Sequence, residues 1–282
     1  YRMRGGSRKG SKSTGTNHPN GVITYFNLMD FNENDKISLT YFDKKGDTIK
    51  TFSNTNKKDK LSVKKGANQF VWNMTYDGAE RLKGMILWWA SLEGPRAVPG
   101  NYKVSLNVNG EEQSQPFTIV ADPRAESTLV DMQTQFDFIL DVNKTMDEAH
   151  KSIKKIRNIN IQLEAFQKQY KGDDNVAELL KKAKMLSEQL SDIEKALYQT
   201  QNRSGQDPLN FPIRLTNKLG HLNSLVRMGD FAPTEQDIAV KNELTGKIEK
   251  QLNTFNDLIK SEVKEFNEAF NCLNLNYLFV ED

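Results

Sequence analysis

The chain of 282 residues is long enough for two domains of ordinary size. Its hydrophobic fraction of 37% and charged fraction of 27% are typical of a globular protein, and the formal net charge of +2 gives no general attraction to nucleic acids or membranes. No apolar run approaches the roughly 18 residues that a membrane span needs. The sequence begins at Tyr1 without a signal-peptide core and holds one cysteine, Cys272. We therefore expect a fragment of a longer protein, without an intrachain disulfide.

Residues 1–20 form a distinct basic segment. They include five Lys or Arg residues, many Gly and Ser residues and no acidic residue. Such a composition cannot bury enough apolar surface to form a core, so the segment is predicted to be a flexible linker or arm. A nucleic-acid-binding arm is an alternative, although Tyr1 is the only aromatic residue there that could stack on a base.

Residues 21–122 have the patterns of β-structure. Short runs rich in β-branched and aromatic residues predict seven strands, at residues 22–28, 36–42, 48–52, 68–74, 85–91, 101–108 and 115–120. The turn at 43–47 and the Asn109-Gly110 pair each predict a β-hairpin. Because no helical pattern separates these runs, they predict an immunoglobulin-like antiparallel β-sandwich, without the disulfide of antibody domains.

The stretch EGPRAVPG places two Gly-Pro pairs, Gly94-Pro95 and Pro99-Gly100, just before one of these strands. A phosphate-binding loop delivers its backbone N–H groups to the N-terminus of a helix, whereas here a strand follows at Asn101. Proline has no N–H for a β-ladder, and glycine reaches dihedral angles that bulkier residues avoid. We predict that this loop directs the chain into the strand and binds no ligand.

From Asp122 onward the apolar residues recur every three or four positions, which predicts a helical domain over residues 123–282. Four helices are expected, over residues 129–170, 176–197, 215–226 and 234–270. Thr234 with Asp237 three positions later indicates an N-cap. Long helices with short breaks favour an antiparallel bundle with a short C-terminal tail, and Pro123 and Arg124 are expected to set the junction with the sandwich.

Several stretches together resemble one known family. LWWASLEGPRAVPGNYKVSLNVNGEEQSQPFTIVADPR at 87–124 and FPIRLTNKLGHLNSLVRMGDFAPTEQ at 211–236 are similar to the C-terminal region of secreted BNR-repeat, sortilin-like β-propeller proteins of the Bacteroidota. GTNHPNGVITYFNL at 15–28 and NQFVWNMTYDGA at 68–79 are similar to the same region. The resemblance covers most of residues 15–270, and in that family the pattern closes an immunoglobulin-like domain and leads into helices.

The resemblance implies that two large β-propellers precede this chain in a parent protein that is secreted, periplasmic or at the cell surface. Members of the family carry a glycosyl hydrolase label, and any such chemistry is expected in the propellers, whose repeats this sequence lacks. The expected function is thus that of a non-enzymatic C-terminal module without a cofactor. Its partners would be the upstream propellers and another envelope or secreted protein.

No catalytic or metal-binding motif occurs in the sequence, so we predict no catalytic, cofactor-binding or metal-binding residue. His18, His150 and His221 lack metal-ligand spacing and are interpreted as exposed side chains. Cys272 follows Phe270 by two positions and is expected to be buried or half-buried rather than nucleophilic.

The remaining candidates surround a pair of tryptophans. Trp88 and Trp89 could stack on sugars, and Asp77, Glu80 and Glu93 flank them; glycoside hydrolysis uses two carboxylates about 5 to 9.5 Å apart. Adjacent strand residues point to opposite faces, so the favoured interpretation places one tryptophan in the sandwich core and the other at the surface or in an interdomain contact. The alternative is a carbohydrate-binding or glycoside-hydrolase-associated module that uses Trp88, Trp89, Asp77 and Glu93.

Overall fold

The structure, a computed structural model, describes residues 18–273 and Leu275. Strands precede helices, as the change of apolar period near Asp122 predicts. The described residues divide into two compact units whose sequences interleave. The β unit comprises residues 18–78, 93–137 and 230–232, and the helical unit comprises residues 79–92, 138–229 and those from 233 onward.

The described part of the β unit contains six strands in two antiparallel sheets. They are β1 (Val22–Leu28), β2 (Ile37–Phe42), β3 (Thr48–Ser53), β4 (Gly66–Trp72), β5 (Gly100–Val108) and β6 (Glu111–Ile119). β1 pairs with β4, and the larger sheet has the order β3-β2-β5-β6. Six of the seven predicted strands are confirmed, whereas residues 85–91 form no strand.

The turns follow their local sequence. Asn109 and Gly110 have φ angles of 54° and 101°, in the left-handed region that a two-residue hairpin turn requires. Val108 pairs with Glu111 across this turn, which confirms the predicted hairpin. β5 begins at Gly100, so the prediction that the Pro-Gly pair directs the chain into a strand is also confirmed.

The two sheets share one apolar core. Alternate residues of β2 are buried, as a period of two requires: Ile37, Leu39 and Tyr41. Tyr41 stacks on the fully buried Trp72 of β4, with 4.6 Å between the ring centroids. Desolvation raises the pKa of Tyr41 to about 12, and its hydroxyl hydrogen-bonds to Thr24 Oγ1 at 2.8 Å. Because Trp72 fills this core, the prediction that Trp88 or Trp89 fills it is wrong.

All four predicted helices are confirmed. They are α1 (Leu129–Gln169), α2 (Ala177–Leu197), α3 (Leu215–Val226) and α4 (Glu235–Leu258), the last continuing through a π-helical stretch (Ile259–Val263) into α5 (Lys264–Cys272). The capping box at the start of α4 is confirmed, because Thr234 Oγ1 accepts a hydrogen bond from Asp237 N at 3.2 Å and the Asp237 carboxylate accepts one from Thr234 N at 2.9 Å.

The exposure predictions for His150 and Cys272 in the helical unit are wrong. His150 is fully buried, because it lies four positions after Met146 and three before Ile153 on the core face of α1. Cys272 is exposed, since two positions correspond to about 200° around a helix and place it away from Phe270. His18 is exposed as predicted. Residues 1–17 of the predicted arm and residues 276–282 of the predicted tail lie outside the described residues, as does residue 274.

Candidate functional site

The segment of residues 79–92, called the strap below, has neither helix nor strand and belongs to the helical unit. Asn217 of α3 accepts a hydrogen bond from Trp88 N at 2.7 Å, and its Nδ2 donates one to Trp88 O at 2.9 Å. These two bonds satisfy the backbone groups that a β-ladder would otherwise use. The prediction of a strand at 85–91 is wrong because side chains of a helix take the place of a neighbouring strand.

The end of the strap is bound to the same helix through Ser91. Ser91 N donates a hydrogen bond to Gly220 O at 2.9 Å, and Ser91 O accepts one from Asn223 Nδ2 at 3.1 Å. Arg227 Nη1 donates to Ser91 Oγ at 3.0 Å. Gly220 permits this close approach, since a Cβ there would lie 3.1 Å from the Cβ of Ala90. The strap is thus bonded along most of α3.

The beginning of the strap is fixed to α1 and to the residue after α2. Glu80 N donates to Asp147 Oδ1 at 2.5 Å, and His150 Nδ1 lies 2.6 Å from Glu80 O. Burial lowers the pKa of His150, which favours a neutral ring that donates its Nδ1 proton to that carbonyl. Ile86 N donates to the Tyr198 hydroxyl at 2.9 Å.

The two candidate tryptophans differ in exposure. Trp88 is half-buried, whereas Trp89 is 72% exposed. The ring centroids are 6.5 Å apart, with planes inclined by 48°. Trp89 has a φ of 51°, which is costly for a bulky residue, and its carbonyl oxygen lies 2.9 Å from His221 Nδ1. The difference in exposure between the two tryptophans arises from this turn of the strap and not from the two faces of a strand. His221 is half-buried, so the prediction that it is exposed is wrong.

Two of the candidate carboxylates, those of Asp77 and Glu80, form ion pairs, and the three candidates are divided between the two units. Asp77 and Glu93 belong to the β unit, whereas Glu80 and both tryptophans belong to the helical unit. The Asp77 carboxylate pairs with Lys50 Nζ at 2.9 Å. The side-chain hydrogen bond from Lys154 lowers the pKa of Glu80, the opposite of the raised pKa that a general acid in glycoside hydrolysis requires.

The Gly94 loop packs against the residues that follow β4. Tyr76 N donates to Pro95 O at 2.9 Å, and Ala97 N donates to Met74 O at 2.7 Å. A Cβ on Gly94 would lie 2.3 Å from Tyr76 O, so this position has no room for a side chain. Close backbone packing therefore accounts for this glycine.

The same loop also lines a cleft of about 490 Å³ in the β unit. Arg96 Nη1 lies 3.6 Å from Asp230 Oδ1, and Arg124 Nη2 lies 2.8 Å from Asp122 Oδ2. The hydrogen bonds from the Arg124 side chain and backbone lower the pKa of Asp122, so its carboxylate is charged. Pro123 and Arg124, the predicted junction residues, line this cleft. That the loop binds no ligand stays a prediction.

A second cleft, of about 420 Å³, lies within the helical unit. Four basic residues and one acidic residue line it: Lys83, Arg157, Lys195, Arg203 and Glu194. They come from the strap, α1, α2 and the loop after α2, so no spacing in the sequence connects them. Sequence reasoning missed this cleft for that reason.

Neither a metal centre nor a membrane span is found in the described residues. Within 18–273 and Leu275, no group of three or more His, Cys, Asp or Glu side chains could hold a metal ion. None of the described helices is long and apolar enough to cross a membrane. No protein-family model matches the chain, and no curated protein or solved structure matches it. The resemblance to the BNR-repeat propeller family therefore stays a prediction.

Proposed function

We propose that this chain is a non-catalytic structural and protein-interaction module, the C-terminal part of a larger secreted or cell-envelope β-propeller protein. The observation that carries the proposal is the use of polar side chains on α3. Asn217, His221 and Asn223 all bond to backbone carbonyls of the strap. These residues belong to the stretch 211–236 that resembles the propeller family. Their engagement inside one unit supports a structural role for that motif.

The proposal includes a finer description of the fold, in which the two sheets form an immunoglobulin-like sandwich and the helices an antiparallel bundle. The shared core around Trp72 supports the sandwich. The strand order β3-β2-β5-β6 supports it too, because strands distant in sequence are neighbours there, as in the Greek keys of such sandwiches. Long helices joined by short breaks support the bundle.

The test uses the sequence upstream of Tyr1. It should contain β-propeller repeats, and the upstream region produced separately should bind this chain in trans, as measured by isothermal titration calorimetry. The chain alone should not hydrolyse a panel of chromogenic glycosides. Hydrolysis that is lost in Asp77→Asn or Glu93→Gln would overturn the non-catalytic part of the proposal. An upstream sequence without propeller repeats would overturn the rest.

Trp89 favours a second candidate function, carbohydrate binding by the tryptophan pair. Its exposed ring is held by a strap that is fixed on both sides, and such a ring can pack against the apolar face of a sugar. Titration with neutral oligosaccharides to millimolar concentration, followed by tryptophan fluorescence, tests this candidate. A response that disappears in Trp89→Ala supports it, and the absence of any response rejects it.

The nucleic-acid alternative depends on the basic arm, most of which lies outside the described residues. Deleting residues 1–20 should then abolish an affinity for RNA or DNA that falls steeply with salt concentration. If the intact chain has no such affinity, this alternative fails.

A further inference from the structure

We propose that the cleft of the helical unit binds a small polar ligand that carries a phosphate or sulfate group. Its volume of about 420 Å³ lies in the range of small-molecule sites. Its lining contains four basic side chains and a single carboxylate, that of Glu194. This excess of positive charge selects an anion. The proposal is independent of the module function proposed above.

Two of the four cations have no acidic side-chain partner among the described residues. Lys83 makes no hydrogen bond or ion pair there. Arg203 Nη1 donates to the carbonyl oxygens of Thr200 and Asn202 at 3.0 and 3.3 Å, and Asp207 bonds the backbone N of Arg203 rather than its guanidinium. The positive charge of Lys83 and the remaining N–H groups of Arg203 are therefore available to a ligand.

The other two cations are already paired. Arg157 Nε donates to Glu194 Oε1 at 2.7 Å, and Glu194 is more than nine-tenths buried. Lys195 Nζ lies 3.0 Å from Asp192 Oδ1, an exposed pair of the kind that is worth little in water. Arg157 and Glu194 thus form part of the fixed wall, and Lys195 can turn toward a bound anion.

The walls of the cleft are held in place without a ligand. The hydrogen bond from Ile86 N to the Tyr198 hydroxyl fixes the part of the strap that carries Lys83. Tyr198 is itself buried, and the Arg157 guanidinium lies 5.6 Å from the centre of its ring. The strap, α1 and the end of α2 therefore form a preorganised site.

Asn202 provides a second and independent indication of a ligand. It lines the cleft, is more than nine-tenths buried, and its side-chain oxygen has no hydrogen-bond partner among the described residues. Buried amides are normally paired. A ligand donor that reaches this oxygen would satisfy it, and Ser191 and Thr200 add hydroxyl groups to the lining. These polar groups fit a hydroxylated oxyanion such as a sugar ester.

The C-terminus of α2 does not account for the cations. The last turn of a helix favours positive charge, which explains Lys195 alone. The carbonyl oxygens of Leu197 and Glu194 already accept hydrogen bonds from Thr216 Oγ1 at 2.9 Å and Tyr198 N at 2.7 Å.

The test is isothermal titration calorimetry on the full chain at low salt, with inorganic phosphate, inorganic sulfate, glucose 6-phosphate, glucose 6-sulfate and glucose as probes. The esters should bind and glucose should not, and the tighter ester identifies which oxyanion the cleft prefers. Lys83→Gln and Arg203→Gln should each weaken the better ester about tenfold. Lys247→Gln, which removes an exposed lysine of α4, should change the affinity less than about twofold.

The choice of variants separates binding from folding. Lys83 has no hydrogen bond or ion pair to lose among the described residues, so Lys83→Gln and Lys83→Glu should keep the circular dichroism spectrum and Tm of the parent chain, and Lys83→Glu should abolish binding. If no oxyanion probe binds, the proposal fails. It fails equally if Lys83→Gln leaves the affinity unchanged, or if Lys247→Gln weakens binding as much as Lys83→Gln does, which would indicate nonspecific attraction.

Discussion

Asn217 and Trp88 exchange two hydrogen bonds, at 2.7 and 2.9 Å, between a side-chain amide and a backbone N–H and C=O. The carboxamide has the same donor and acceptor as a peptide group, so the Asn217 side chain bonds to the strap as a residue of a neighbouring strand would. Asn217 is itself buried, which leaves water no access to replace it. This pair therefore fixes the middle of the strap.

Replacing Asn217 with alanine should destabilise the helical unit. Asn217→Ala leaves the N–H and C=O of Trp88 without partners, at about 1–3 kcal/mol for each group that stays buried. We expect the free energy of unfolding, measured with urea, to fall by about 2–4 kcal/mol. Asn253→Ala on the exposed face of α4 is the control and should change it by less than about 0.7 kcal/mol. Equal effects in both variants would contradict the role given to Asn217.

Gly94 tests the packing of the loop in the β unit. A Cβ at this position would lie 2.3 Å from Tyr76 O and 2.4 Å from Asp77 O, so the two backbone segments must separate. Gly94→Ala should lower the free energy of unfolding by about 2–3 kcal/mol. Gly205→Ala is the matched control, because nothing lies within 4 Å of its added Cβ, and it should be neutral or slightly stabilising. A neutral Gly94→Ala would show that the loop is free to move.

Trp89 tests whether the strap stores backbone strain. Its φ of 51° costs an L-residue about 1–2 kcal/mol, and glycine avoids that cost. Trp89→Gly should therefore be more stable to urea than Trp89→Ala by about 1 kcal/mol, although glycine is the more flexible residue when unfolded. At the neighbouring Ala90, whose φ is not positive, Ala90→Gly should destabilise. If Trp89→Ala is the more stable of the two variants at position 89, the backbone there is unstrained.

The parts of the fold that follow from neighbouring residues could be predicted from the sequence. The alternation of β2 specifies its buried face because the side-chain period of a strand is two. Asn109-Gly110 specifies its turn through the φ angles these residues tolerate. Thr234 and Asp237 specify the start of α4, since both hydrogen bonds of the capping box lie within four residues.

The strap and the cationic cleft could not be predicted, because both depend on residues far apart in the chain. The apolar run at 85–91 fits a buried strand as well as a segment packed on helices, and only the position of Asn217 decides between them. The choice of Trp72 over Trp88 as a core residue depends on pairing between β1 and β4. Lys83, Arg157 and Arg203 come together only through the helical core, so spacing carries no signal for them.

His150 makes the stability of the helical unit depend on pH. The ring is fully buried, its Nδ1 lies 2.6 Å from Glu80 O, and its Nε2 has no hydrogen-bond partner among the described residues. Burial lowers the pKa of His150 below the ordinary value of 6.5, and the Glu80 carbonyl and the charges of Asp147 and Glu80 oppose this shift only in part. In the unfolded chain the histidine regains its ordinary pKa. Its contribution to stability is therefore present above pH 6.5 and is lost as the pH falls below that value.

The measurement is urea unfolding at a series of pH values from neutral down to mildly acidic. Below its ordinary pKa, His150 should add at most about 1.4 kcal/mol per pH unit to the slope of the free energy of unfolding, the value for one proton. His150→Asn keeps a donor for Glu80 O and cannot titrate, so this part of the slope should disappear even if the variant is less stable overall. His18→Asn, which replaces an exposed histidine, is the control and should retain the parent slope. A buried neutral imidazole must take up a proton when the unit unfolds in acid, so replacing it should remove its part of the slope. A slope that His150→Asn leaves unchanged would mean that other groups cause the acid sensitivity.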